Sequence, residues 1–289
     1  MLRRESSRAA AQDEAGQLVL FQASPDVLIP RDAQDLMAYP FFALGKSRRV
    51  RPIIFEAGGV RVRVEGTLEH GIATIWDADV LIWAASQLIE ARDHGTNTSR
   101  LMRSTPYEML TFMGRSTSAR DYQRLKSALD RLQSTSVATT IRENTGRRMH
   151  RFSWINEWKE LADLEGQPLG LELILPDWFY AGVLEHSLVL TIDRAYFGLM
   201  GGIERWLYRL VRKHGGRQPR GWHFAFRHLY LKSGSMARYS DFALDIRRIV
   251  ARQSLPGYRL GVRLRADGHE TLTFSPHPET GTQACSVGR

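Results

Sequence analysis

SARDYQRLKSALDRL, residues 118–132, carries the clearest structural signal in the chain. Its apolar residues recur at intervals of three, four and three, the spacing of one face of an α-helix. Ser118 stands just before this run, where a hydroxyl can cap the first turn. The opposite face is polar, and its side chains are of the types that contact bases and phosphates in a DNA major groove. These predicted DNA-contacting residues are Arg120, Gln123, Arg124, Ser127 and Arg131.

The flanking sequence completes a pattern of three helices followed by a hairpin. Helical spacing of apolar residues predicts a helix over 80–94 and a shorter one over 105–113. Two strands are predicted downstream, over 136–142 and 147–154, around a turn rich in polar residues. This order is that of a winged helix, a variant of the helix-turn-helix. Basic residues around the helix and in the hairpin are added to the predicted DNA contacts: Arg115, Arg147 and Arg148.

A similar order of elements returns about 120 residues later. The pattern predicts a long helix over 190–214, a short one over 224–231 and a third over 239–253. A hairpin of 258–264 and 270–274 follows, with Asp-Gly at its turn. We therefore predict a second winged helix. Its predicted DNA contacts are Arg238, Arg247, Arg248, Arg252, Arg263 and Arg265.

The predicted fold is α+β, with two tandem winged-helix domains. Residues 1–50 are expected to form a flexible N-terminal tail, because the first 16 or so show no hydrophobic periodicity. The first domain is predicted to span 51–165, where its helices follow a small antiparallel sheet over residues 53–75. The second domain is predicted to span 166–278, and residues 279–289 are expected to form a C-terminal tail.

The charge of the chain is concentrated in one segment. The 289 residues carry a formal net charge of +9, yet residues 205–265 alone hold 15 basic and two acidic residues. Thirteen of the 15 are arginines, whose planar fork suits phosphate oxygens and guanine edges. A basic surface of this kind predicts double-stranded DNA as partner. The alternative is a solvated basic face that only keeps the protein soluble.

Composition excludes several classes of protein. Hydrophobic residues make up 43% of the chain, far more than in a disordered protein. The one cysteine, Cys285, can form neither an intramolecular disulfide nor a cysteine-based metal site. No apolar run is long enough to span a bilayer or to act as a signal peptide. We expect no membrane association and a cytoplasmic location.

The motifs of common enzymes are largely missing from the sequence. It has neither a GxxxxGK[ST] phosphate loop nor a GxGxxG turn, so no nucleotide cofactor is expected. Tyr122 and Lys126 have the spacing of a nicking tyrosine and its lysine, but no His-x-His pair accompanies them. Asp77 and Asp79 could bind a metal ion, but their position before a predicted helix favours a role as a helix cap. We predict a protein that is not an enzyme, with a DNA-nicking enzyme as an alternative.

Several motifs together resemble the plasmid replication initiator protein A family. They are Gly114-Arg115, residues 121–132, 175–180, 196–209, 232–235 and 255–258. The resemblance implies a protein that binds repeated sites at a plasmid origin, helps to open the duplex and brings in host replication proteins, including the replicative helicase. It also implies tandem winged helices, repression of the protein's own promoter and a balance between monomer and homodimer. A sequence-specific transcriptional repressor without an origin role is the alternative, because its groove-reading chemistry is the same.

A pentapeptide near the N-terminus resembles the motif with which bacterial polymerases and repair proteins bind the DNA sliding clamp. It reads QLVLF, and the predicted clamp-binding residues are Gln17, Leu18, Leu20 and Phe21. A flexible segment could insert two apolar side chains into a pocket on such a partner. The alternative is a first strand whose apolar residues pack onto the first domain.

Overall fold

The computed structural model describes residues 18–26, 28–143, 148–216, 218 and 220–277. It shows a mixed α+β protein, as predicted. The helices and strands follow one another in this order: β1 (Leu20–Gln22), β2 (Arg31–Ala33), α1 (Gln34–Ala38), β3 (Ile53–Ala57), β4 (Val60–Glu65), α2 (Ala78–Asp93), β5 (Leu101–Ser104), α3 (Pro106–Phe112), α4 (Ala119–Ser134), β6 (Ser136–Thr139), β7 (His150–Ser153), β8 (Glu157–Ala162), β9 (Pro168–Ile174), α5 (Asp177–Leu184), β10 (Val189–Thr191), α6 (Gly202–Gly215), β11 (Trp222–Ala225), α7 (Phe226–Ser233), α8 (Tyr239–Arg252), β12 (Tyr258–Leu264) and β13 (Glu270–Pro276).

Two parts of the chain share one order of elements. In the first unit α2, β5, α3 and α4 are followed by the hairpin β8–β9, and β9 lies between β5 and β8 in the sheet. In the second unit α6, β11, α7 and α8 are followed by the hairpin β12–β13, and β13 lies between β11 and β12. Within each unit, the strand that precedes the second helix therefore pairs with the last strand. Three helices and a later hairpin therefore occur in both units, although in the first unit β6 and β7 stand between α4 and the hairpin.

The hairpin predicted for the first unit belongs elsewhere. Strands β6 and β7 do pair with each other, but β6 also pairs with β4 in a separate sheet of order β3-β4-β6-β7. Val64 and Val137 lie opposite each other there, and both are fully buried. The hairpin beside β5 is β8–β9, which the sequence analysis did not predict. The small sheet predicted over 53–75 has β3 and β4, but its last residues, 72–75, form no strand: Thr74 makes only an isolated bridge with Ala43.

The long helix predicted over 190–214 is three elements. Its first residues form β10, residues 194–198 form a 3-10 helix, and α6 starts only at Gly202. A β-carbon at Gly202 would lie 1.9 Å from the carbonyl oxygen of Leu44. The two backbone segments therefore approach each other so closely that only glycine fits at this position. Gly201 is extended, with φ −89° and ψ 136°, and precedes the helix. The glycine pair thus marks the start of α6, although the predicted helix placed it in the interior.

Much of the predicted N-terminal tail is part of the fold. Strand β2 pairs antiparallel with β10, which lies between the two units in sequence. Phe41 and Phe42 of the following segment are buried and contact Trp154. The sheet of the first unit also continues to residue 174, beyond the predicted boundary at 165. The predicted C-terminal tail, 279–289, lies outside the described residues. In the described part of the chain, no helix is both long and apolar enough to cross a bilayer.

Candidate nucleic-acid interface

Helix α4 presents four of its predicted contacts on one exposed side. The Ser118 hydroxyl accepts the backbone N–H of Asp121 and caps the helix, while the inward side buries Leu125, Leu129 and Leu132. Ser118, Arg124 and Ser116 lower the pKa of the Asp121 carboxyl to about 2, so it stays ionised. The predicted residues that the structure leaves exposed together are Arg120, Gln123, Arg124 and Ser127.

Two other predicted contacts of the first unit are structural. Arg131 donates two hydrogen bonds of 2.7 Å to the Asp77 carboxylate, and Arg115 donates one of 2.7 Å to Asp79. Both arginines therefore attach the segment around α4 to the start of α2 instead of facing a groove. The same contacts explain the two aspartates. Neither side chain caps the helix, and the described residues include no group of three or more side chains that could hold a metal ion.

The hairpin beside α4 is acidic. Residues 157–174 carry five carboxylates and one lysine. Two contacts tie the hairpin to the helix, since Glu160 pairs with Lys126 and Trp158 Nε1 donates to Asp130 at 3.2 Å. Leu164 at its tip is fully exposed. Repulsion between such a hairpin and the phosphate backbone makes it unsuited to DNA contact.

The basic residues in and around the hairpin predicted for the first unit do not belong to the hairpin β8–β9. Arg148 is exposed next to β7, in the separate sheet, and Arg147 lies outside the described residues. Arg142 donates to Asp35 at 2.8 Å and stacks over the Trp178 ring. Its φ of 68° lies in the left-handed region, which few residues with a β-carbon adopt.

Helix α8 of the second unit has a buried side and a basic exposed side. Its inward residues include Phe242, Ile246 and Ile249, and Gly234 turns the chain between α7 and α8 with a φ of 60°. Arg248 is 63% exposed, and its nearest carboxylate is Asp245 at 3.5 Å. Because its ion pair with Asp245 is exposed and weak, Arg248 can exchange that carboxylate for a DNA phosphate.

The other predicted arginines of the second unit differ in how firmly they are held. Arg247 donates two hydrogen bonds of 2.7–2.8 Å to Glu270 of β13, and Arg252 lies 3.4 Å from Glu204 of α6. Arg265, just after β12, is 4.0 Å from Asp267. Arg238 and Arg263 are exposed and have no carboxylate partner among the described residues. The least restrained predicted contacts of this unit are therefore Arg238, Arg248, Arg263 and Arg265.

Part of the basic segment is buried between the two units. Arg205 and Arg209 of α6 are each 1% exposed. Arg205 donates to Asp79 of α2 at 3.1–3.2 Å, and Arg209 donates to Asp32 of β2 at 2.7 and 2.9 Å. Burial raises the pKa of the Asp32 carboxyl, and Arg209 opposes that rise. Charge counting along the sequence could not separate these arginines from those on the surface, although their spacing of four places them on one side of α6.

The N-terminal pentapeptide is a strand in the structure. Residues 20–22 form β1, which pairs in parallel with β5 at the edge of the first sheet. Phe21 is only 7% exposed, whereas Leu20 and Val19 remain accessible and Leu18 is half-buried. Gln17 lies outside the described residues. The structure thus shows the packed strand of the alternative. Residues 20–22 are not the free segment that the clamp-binding prediction assumed.

The model of the family described as Replication initiator protein A matches residues 31–260, from β2 into β12. The chain belongs to this family. A putative replication protein of Wigglesworthia glossinidia brevipalpis is 32% identical to this initiator-family chain over 262 residues, covering 88% of the chain and 92% of the relative. The family membership predicted from the sequence motifs is therefore confirmed.

Solved structures show the same overall fold. A crystal structure of domains 2 and 3 of RctB superposes on 84% of the chain with a TM-score of 0.61 and 16% identity, and covers 98% of that structure. A second RctB structure of the same domains gives a TM-score of 0.56 at 14% identity, over 85% of the chain and 97% of that structure. At this identity the similarity concerns the fold alone.

Proposed function

We propose that the protein initiates replication by binding duplex DNA with two winged-helix units, in which α4 and α8 enter the major groove. The observation that carries this proposal is the exposed side of α8, where Arg248 has only a weak carboxylate partner and Arg238 at the helix start has none among the described residues. The repeated order of elements and the membership of a replication initiator family support it. The protein would bind without catalysing a reaction.

The two units would contribute differently to binding. The second unit has exposed arginines on its third helix and, at the turn of its hairpin, Arg265, so it would supply most contacts to phosphates. The first unit would read bases with α4 while its acidic hairpin stays away from the backbone. The proposal includes three further properties that membership of the initiator family suggests. They are recruitment of the replicative helicase, repression of the protein's own promoter and formation of a homodimer.

The test measures binding to a duplex taken from the DNA that flanks the gene, as a function of salt. Arg238→Ala and Arg248→Ala should each weaken binding and reduce the slope of log K against log salt by about 0.9, the value for one lost phosphate contact. Arg205→Met serves as a control at a buried position, where the salt slope of the folded protein should not change. A wild-type slope in both surface variants would overturn the proposed role of α8.

A further inference from the structure

The outer face of the second sheet carries a basic concave surface that the proposed duplex-binding helices do not use. His223 of β11, Thr273 of β13 and Gly261 of β12 lie opposite one another and so share one face of this sheet. Arg259 and Arg263 are two residues on either side of Gly261 and project from that same face. We call this surface the outer sheet face.

The outer sheet face points away from α8. Leu260, Leu272 and Phe274 alternate with its residues along the strands and are buried. Helices α6, α7 and α8 pack on that buried side. A duplex held by α8 therefore lies on the other side of the sheet, so a ligand on the outer sheet face is a second ligand.

A cavity of about 300 Å³ opens on this face. Three arginines line it, Arg220, Arg259 and Arg263, and none of the described residues around it is acidic. Gly261 forms part of its floor. A β-carbon at that position would lie 2.9 Å from the Thr273 hydroxyl, so a side chain there would crowd the floor.

An exposed aromatic pair borders the same cavity. Trp222, at the start of β11, is 44% exposed, which is unusual for so large an apolar side chain. Its ring stacks on His223 with 6.4 Å between centroids and 28° between planes. An accessible indole beside guanidinium groups is the combination with which proteins hold unpaired nucleotides, because each base stacks on the ring while its phosphate meets a cation.

We propose that the outer sheet face, with His223, Arg220, Arg259 and Arg263, binds single-stranded DNA together with Trp222, which lies opposite Phe274 in the register but lines the cavity from the edge strand beside His223. The proposal deepens the proposed function and rests on it, since an initiator that opens a duplex exposes single strands next to its own binding site. Base stacking favours a single strand over a duplex, whose bases are already stacked on each other. The units would then hold the duplex through α8 and one separated strand on the opposite side of the sheet.

The test compares one labelled DNA strand of mixed sequence, about 16 nucleotides long, with the same strand annealed to its complement. Fluorescence anisotropy of the full chain gives both affinities. Trp222→Ala combined with Arg259→Gln should weaken binding to the single strand about tenfold or more and leave duplex binding within about twofold. The matched control, Arg238→Ala combined with Arg248→Ala on the other side, should show the reverse. Trp222→Phe, which keeps an aromatic ring, should retain most of the single-strand affinity.

The outcomes separate this proposal from the proposed function. Unchanged single-strand affinity in the Trp222 and Arg259 variant, or an equal loss for both probes, would overturn the outer sheet face as a single-strand site. Tighter binding of an RNA strand of the same sequence would also overturn it. If instead the control variant keeps full duplex affinity, the proposed role of α8 fails while the result for the outer sheet face still stands.

Discussion

The ion pair between Asp32 and Arg209 gives a prediction whose size follows from its burial. Both side chains are almost fully buried, and the carboxylate accepts two hydrogen bonds of 2.7 and 2.9 Å from the guanidinium. In Asp32→Ala the Arg209 charge would remain in the interior without a partner. Breaking a buried pair in this way costs about 3–5 kcal/mol. That is a large fraction of the roughly 5–15 kcal/mol by which domains are stable.

Urea unfolding followed by tryptophan fluorescence measures the effect. Asp177→Ala is the matched control, because Asp177 pairs with Arg100 at 2.9 Å but is 81% exposed, and such pairs contribute less than about 1 kcal/mol. Adding Arg209→Met to Asp32→Ala should restore much of the lost stability, since no unpaired charge then stays buried. If Asp32→Ala costs no more than Asp177→Ala, or if the double variant is less stable than Asp32→Ala, the reasoning is refuted.

Three other predictions concern packing, pH and charge. Gly202→Ala should destabilise the protein by about 1–3 kcal/mol, because the new methyl group would clash with the Leu44 carbonyl. The control Gly198→Ala, whose methyl group would meet no atom within 4 Å, should hardly change the thermal midpoint. Equal midpoints of the two variants would contradict this prediction. Burial, with Lys213, Lys232 and His228 nearby, lowers the pKa of His214 from 6.5 to about 4. The unfolded chain therefore binds the proton first, and stability should fall as the pH drops from about 6.5 to about 4; urea unfolding over this range should show a shallower fall in His214→Gln, and an identical fall would count against the cause. Glu165→Gln in the first hairpin should leave duplex affinity within about twofold, while Arg265→Gln in the second should lower it and its salt slope; the opposite order in a binding titration would show that the first hairpin contacts DNA.

Local signals explain which elements could be predicted from the sequence. Helix α4 has a capping serine, a regular apolar stripe and a polar outer face within 16 residues, and the structure places it as predicted. Helix α3 likewise has Pro106 in its first turn and a capping box between Thr105 and Glu108. These features depend on residues close together in the chain, so a sequence pattern can report them.

The partners of strands could not be predicted in the same way. Strands β6 and β7 have the alternation and the turn of a hairpin, but their sheet is decided by β4, about 75 residues earlier. The hairpin β8–β9 has many carboxylates and an exposed leucine, so its composition does not resemble that of the predicted basic hairpin. Pairing across such distances depends on which faces become buried together, and that information is not local.

The sequence predicted only part of the candidate site, because the partners of its arginines also come from distant elements. The exposed arginines of α4 and α8 were identified by helical spacing alone. Arg115, Arg131, Arg205 and Arg209 are arginines too, but buried aspartates from distant elements hold them. An arginine's role is set by whether a carboxylate meets it in the fold, which sequence charge does not reveal.

The most direct test of the central claim is a transformation assay. The gene and its flanking DNA are placed on a fragment that has no other origin, beside the same fragment encoding Arg238→Ala and Arg248→Ala, with protein levels compared by immunoblot. Transformants from the wild-type fragment and none from the variant, at equal protein levels, are the result expected of an initiator that acts through DNA contact by α8. Equal numbers from both fragments would contradict the role of α8, and none from either, with specific binding to the flanking DNA retained, would indicate a repressor instead.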